Sequence, residues 1–170
     1  RWDLGGGVSV RAVHMPGHTA GHSVLLVEPA GVAFIGDIDL SSFGPYYGDA
    51  SSDLTAFRRT LARLPELPAS VWITSHHKGV YTDRAAFLEA LRAFAARIDE
   101  REAQLLSMLA PGPRTLADLV RDRLIYRPGA EELWVDCAEA RSITMHLDEL
   151  VAAGRVRQLE GGAFELAAGW

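Results

Sequence analysis

Two imidazoles and one carboxylate stand where apolar runs give way to turn residues. They are His18 in Pro16-Gly17-His18-Thr19-Ala20-Gly21-His22-Ser23, Asp37 after Gly36, and His76 in Ser75-His76-His77. Neutral imidazole and carboxylate are ligands for zinc and similar divalent ions, and a catalytic site keeps one position open for water. A carboxylate closing a buried run is badly placed unless a positive charge compensates it, and a metal ion is such a charge. With Asp37 bridging two ions about 3.5–4 Å apart, a hydroxide between them is a nucleophile at neutral pH toward esters, thioesters, lactones, amides or phosphodiesters. His76 is the expected ligand, and its neighbour His77 is left to contact substrate or solvent.

The elements that must position these residues can be read from periodicity. Val8 to Val13 alternates, as a strand with one wet face does, whereas Val24 to Val27 and Val32 to Ile35 are nearly continuous and fit strands covered on both faces. Pro29-Ala30-Gly31 turns between the latter two. Ser52 or Asp53 caps a helix with Leu54, Phe57, Leu61 and Leu64 on one stripe, which Pro65 ends. Val71 to Thr74 is another buried-type strand, and Thr82 or Asp83 caps a long helix carrying Phe87, Leu91, Phe94 and Ile98. This order predicts an α/β fold.

From Asp99 the pattern changes to charged helical surface, then to short helices and a hairpin. Leu105, Leu106 and Leu109 close one helix before Pro111, and Thr115 to Asp118 reads as a capping box. A third helix places Ala140, Ile143, Leu147, Leu150 and Val151 on one face and stops at Gly154. Val156 to Leu159 and Ala163 to Leu166 flank Gly161-Gly162 as a hairpin. In outline this is a helix-turn-helix with a β-wing.

The stretch from Pro16 to His22, the Gly36-Asp37 step and the Ser75-His76 step resemble the metallo-β-lactamase fold superfamily of hydrolases. The resemblance implies that His18 binds one metal, Asp37 bridges, and His76 binds the other. It implies two divalent ions, most often zinc, with iron or manganese also suited to these ligands. The first metal motif of that superfamily, HxHxDH, is absent from this sequence. The expectation is therefore residues 1–98 as the C-terminal half of an αββα domain, followed by a winged-helix-like domain at 99–170. Such a chain would be inactive alone, its missing N-terminal half coming from a longer parent or another polypeptide.

The loop Phe43-Gly44-Pro45-Tyr46-Tyr47-Gly48-Asp49 is rich in aromatic and turn residues and is read as a pocket wall, with Tyr47 or Asp49 near the metals and Tyr47 and His77 as substrate contacts. The other histidines have plainer readings: His22 packs or supports a ligand, His14 is a strand side chain, and His146 lies on a helix face. Asp39 either orients a ligand or is a solvated loop carboxylate. Cys137 reads as a small apolar filler and Trp2, Trp72, Trp134 and Trp170 as packing residues.

Composition narrows the partners. The net charge of −5 gives no electrostatic reason for nucleic acid or an anionic membrane. From Ile98 onward eight arginines and no lysine face 13 acidic residues, a balance that repels a phosphate backbone, so DNA binding by this tail is not expected. The single cysteine excludes an internal disulfide, and no apolar run nears the roughly 20 residues that cross a bilayer. A cytoplasmic setting and a small-molecule substrate fit these balances, and the superfamily resemblance implies that the tail packs beside the active-site cleft or mediates homodimer contacts. The reading from a different class is a non-catalytic binding or regulatory protein, a winged-helix module joined to a degenerate metal-free α/β domain.

Overall fold

A computed structural model describes residues 1–77 and 79–169. They form two compact units, Arg1–Tyr46 with Ser51–Arg97, and Tyr47–Ala50 with the chain from Ile98 onward.

The first unit is built on six strands in sequential order: β1 (Trp2–Gly5), β2 (Val8–His14), β3 (Ser23–Glu28), β4 (Val32–Gly36), β5 (Val71–Thr74) and β6 (Val80–Tyr81). All neighbours pair antiparallel except β4 and β5, which run parallel. The connection between those two holds helix α1 (Leu54–Arg63) and a 3₁₀ turn, Leu64–Glu66. Since β2 and β4 each lie antiparallel to β3, the C-terminal ends of β2, β4 and β5 emerge at one edge of the sheet. Topology alone thus gathers the segments that carry His18, Asp37 and His76.

Val13, Val24, Leu26, Ala33, Ile35 and Trp72, on one face of the sheet, are buried. Asp53 caps α1 by accepting the Ala56 N–H, and the helix buries Leu54, Phe57, Thr60 and Leu61. Trp72 stacks on Phe87 of α2 (Arg84–Leu109), with ring centroids 4.2 Å apart. On the opposite face Val10, Leu25, Val27, Val32, Phe34, Val71 and Ile73 are only half-buried. The continuous apolar runs of β3 and β4 suggested cover on both sides, so this face differs from expectation.

In the second unit Leu105, Leu109, Leu119, Leu124, Ile143, Leu147, Leu150 and Val156 form a core. It draws on α2, α3 (Leu116–Asp122), α4 (Val135–Ala152) and the edge of a small sheet. That sheet orders β7 (Arg114–Thr115), β9 (Ala163–Leu166) and β8 (Val156–Gln158), with β9 central and both pairings antiparallel. Thr115 and Asp118 make the expected reciprocal capping box at the start of α3.

Several local expectations give way. The helix carrying Phe87 to Ile98 and the one closed by Leu105 to Leu109 are a single helix of 26 residues, Arg84–Leu109, because neither glycine nor proline interrupts it before Pro111. As expected, α1 ends just before Pro65, which lies in the 3₁₀ turn that follows. Cys137 is exposed and fills no core space, since Ala138, Ile143 and Leu147 take the buried positions of α4. Val151 is 40% exposed, and Trp2 and Trp134 are more than half exposed, Trp134 resting only edge-on against Tyr126. Trp170 lies outside the described residues. Among the described residues no helix is long and apolar enough to cross a membrane.

Candidate metal centre

The loop after β2 is pinned in a way that explains its glycine. Gly17 has φ +138, and a Cβ there would meet the Phe57 backbone of α1 at 2.3 Å, so only glycine lets the loop lie against the helix. Its carbonyl accepts the Asp53 N–H at 3.0 Å, and the Ser52 hydroxyl donates to the His18 carbonyl at 2.6 Å. The His18 ring is fixed from behind: its Nδ1 donates to the Tyr46 carbonyl at 3.0 Å. That bond leaves the Nε2 lone pair free to face Asp37, whose Oδ2 is 3.6 Å away.

Asp37 arrives from the end of β4. A register irregularity between Phe34 and Gly36 in the parallel ladder brings Gly36 opposite Thr74. The Ser75 hydroxyl then donates to both the Gly36 carbonyl and Asp37 Oδ1, at 3.0 and 3.1 Å. His76 Nε2 reaches the same Oδ1 at 2.9 Å. Asp37 therefore has one imidazole on each carboxyl oxygen. Partial burial pushes its carboxyl up, but the His76 hydrogen bond, the nearby His18 and the Ser75 hydroxyl outweigh burial and hold it below the ordinary value.

His22 supports this arrangement from inside. It is buried, donates from Nδ1 to the Met15 carbonyl at 2.8 Å, and meets His18 edge-on with centroids 5.9 Å apart. Burial lowers its pKa, so the ring is neutral in the fold. His14 is an exposed strand residue whose ring meets the Ala20 carbonyl at 2.8 Å.

Two sequence expectations change at this level. Tyr47 is not an open pocket wall: it is 1% exposed, and its hydroxyl lies 2.9 Å from His146 Nε2, where an aromatic side chain finds both cover and a polar partner. His146 in turn is fully buried rather than set on an open helix face. It stands with Glu102 and Glu149 in a cluster with ligand atoms within 4.8 Å of one another, which no local sequence signal announced. Arg155 is ion-paired with Glu102.

Asp39 is the other residue that sequence reading undervalued. Its side chain is 13% exposed, and it lies with His76 and His77 in a cluster with the same mutual reach. The D-x-D spacing from Asp37 was visible, but the depth of the second carboxylate was not.

Comparisons with known proteins agree with the resemblance read from the motifs. Residues 3–77 match the family model described as the Metallo-beta-lactamase superfamily. A curated Drosophila melanogaster protein, the Beta-lactamase-like protein 2 homolog, is 27% identical over 152 residues, covering 89% of this chain and 48% of its own length. A metallo-beta-lactamase family protein from Thermus thermophilus superposes with a TM-score of 0.72 at 28% identity, over 92% of this chain and 49% of that one. A Beta-lactamase domain protein from Burkholderia ambifaria shares the fold, with a TM-score of 0.67 at 22% identity over 95% and 49%. The chain thus spans about half the length of the relatives it matches. The metallo-β-lactamase superfamily resemblance stands, and proteins of this superfamily typically bind divalent metals.

Proposed function

We propose that the parent protein of this chain is a metal-dependent hydrolase, whose divalent ions would be held by His18, Asp37 and His76. The observation that carries this reading is the carboxylate of Asp37, with the His18 ring 3.6 Å from one oxygen and the His76 ring 2.9 Å from the other. The donor set fits a metal pair: two nitrogens and a bridging carboxylate, with the carboxyl held ionised and the His18 tautomer fixed by Tyr46.

When bound, divalent ions, with zinc as the leading candidate, lower the pKa of water and polarise the scissile carbonyl or phosphoryl oxygen. This chain's own residues bind and orient. Tyr46 holds the proton of His18 on Nδ1, Ser75 fixes the carboxylate plane of Asp37, and His77, 61% exposed, would contact substrate. The substrate class is an ester, thioester, lactone or phosphodiester. Because a catalytic zinc takes about three protein ligands, further ligands come from polypeptide beyond these residues, and the chain by itself is expected to be inactive. The half-buried apolar face of the sheet supports the same reading, since a second sheet packed there would complete an αββα sandwich.

The order of elements from α2 onward, helix, strand, helix, helix, strand, strand, supports a winged-helix reading of the second unit. Its acidic balance favours a role in protein packing over DNA binding.

Metal analysis tests the main reading. After zinc, iron or manganese loading, the parent protein should hold metal near stoichiometry and lose it on His18→Ala or Asp37→Ala, and hydrolysis of an ester, thioester and phosphodiester panel should fall with it. A protein that stays metal-free, with stability unchanged by those substitutions, would favour the non-catalytic regulatory alternative.

A further inference from the structure

We infer that Asp39 is a positioning residue for the metal-bound site: with a cation at Asp37, it holds the proton of His76 on Nδ1 and so leaves Nε2 as the donor atom. The inference rests on the metal reading of Asp37 and His76 and adds a role to a residue outside that ligand set.

The geometry is specific. His76 places its two ring nitrogens between two carboxylates, Nε2 2.9 Å from Asp37 Oδ1 and Nδ1 3.7 Å from Asp39 Oδ2. A neutral imidazole carries one proton, and which nitrogen holds it is set by the partner of the other. A proton on the Asp39 side leaves Nε2 as a donor atom toward a cation at Asp37, and a proton on the Asp37 side removes it. At 3.7 Å the Asp39 contact is electrostatic rather than a hydrogen bond.

Asp39 is built to stay in place. Ile38 beside it is fully buried, and Asp39 Oδ1 accepts the Ser41 N–H at 3.0 Å, which leaves Oδ2 for the histidines. A loop carboxylate in free solution would not be 13% exposed. The same Oδ2 lies 3.5 Å from Nε2 of His77, a residue with φ +64, a left-handed conformation that non-glycine residues adopt at a cost. The two adjacent histidines thus share one carboxylate, and only His76 also reaches Asp37. His18 shows the same device, with the Tyr46 carbonyl in the role of Asp39.

The test uses Asp39→Asn, whose amide oxygen can keep the Ser41 turn while its NH2 group faces the rings and cannot accept a proton from Nδ1. Imidazole ¹⁵N spectra of His76 report the tautomer, and competition with a chromophoric chelator reports Zn²⁺ affinity. We expect zinc to leave His76 protonated at Nδ1 in the wild type, and D39N to weaken zinc binding about tenfold. In a His76→Ala background the same substitution should have little further effect. A wild-type tautomer and affinity in D39N, or an equal loss with and without His76, would overturn the inference. If the wild-type parent protein takes up no zinc, the metal reading fails, but the metal-free spectra still decide on Asp39: D39N must lower the fraction of His76 protonated at Nδ1, and an unchanged fraction refutes the role.

Discussion

Gly36 lies against the ring of His22 so closely that a Cβ on it would sit 2.8 Å from His22 Nε2. This contact joins the loop that carries His18 to the strand end that carries Asp37, and it explains why a glycine precedes the aspartate and why a second histidine follows the first. Gly36→Ala must displace a buried ring and strain a backbone at φ +58. It should cost about 1–3 kcal/mol by urea denaturation and weaken metal binding, without altering any proposed ligand.

Gly17→Ala should be more severe. Its Cβ would meet the backbone of Phe57 at 2.3 Å, and backbone cannot rotate out of the way. A loss of about 3 kcal/mol or more is expected, with His18 displaced from Asp37 in any folded fraction. Wild-type stability in this variant would refute the loop packing described above.

Acid should weaken the fold in two separate windows. Burial, the largest influence on His22, takes its pKa below 6.5, and the bond to the Met15 carbonyl only partly opposes this. A depressed folded pKa contributes stability that is complete above the unfolded value near 6.5 and is lost as pH falls through the folded value. The Asp37 window lies lower: its contribution is present above about 3.8 and is lost as pH falls through its depressed folded value, and partial exposure makes it small. His22→Asn retains a donor for Met15 without ionising. Urea midpoints measured from about pH 7.5 to about 5 should therefore fall in the wild type and flatten in this variant.

Tyr47→Phe removes the hydroxyl from a fully buried imidazole, His146. We expect a loss of about 1–3 kcal/mol with no change in metal affinity. A change in metal affinity at constant stability would restore Tyr47 to the site.

Glu139 is buried and accepts three backbone N–H groups, from Leu124 at 3.0 Å, Ile125 at 2.9 Å and Tyr126 at 2.8 Å. Glu139→Ala should cost about 3 kcal/mol or more, because several buried donors lose their acceptor together. Glu139→Gln, which keeps one acceptor oxygen, should lose less, and the difference can be read from denaturant midpoints.

Helix and strand periods, capping residues and the Pro16 to His22 stretch were legible because they are local: they follow from spacing of one, two or three to four residues. Asp53 at the start of α1 and the Thr115 to Asp118 box needed nothing from the rest of the chain. β1 escaped notice because it is exposed along its length and so carries no burial pattern. Glu139 escaped because a glutamate in a helix looks the same whether it meets water or three distant N–H groups.

The amino-acid order by itself determined which groups could bind metal, since imidazole and carboxylate chemistry travels with residue type and with the strand-to-turn positions they occupy. Only the tertiary structure decided which oxygen each histidine meets, that Asp39 is shielded while Asp37 is half open, and that Tyr47 faces inward. Those outcomes depend on the parallel register of β4 with β5 and on loops packed against distant helices, contacts between residues tens of positions apart that no local period encodes.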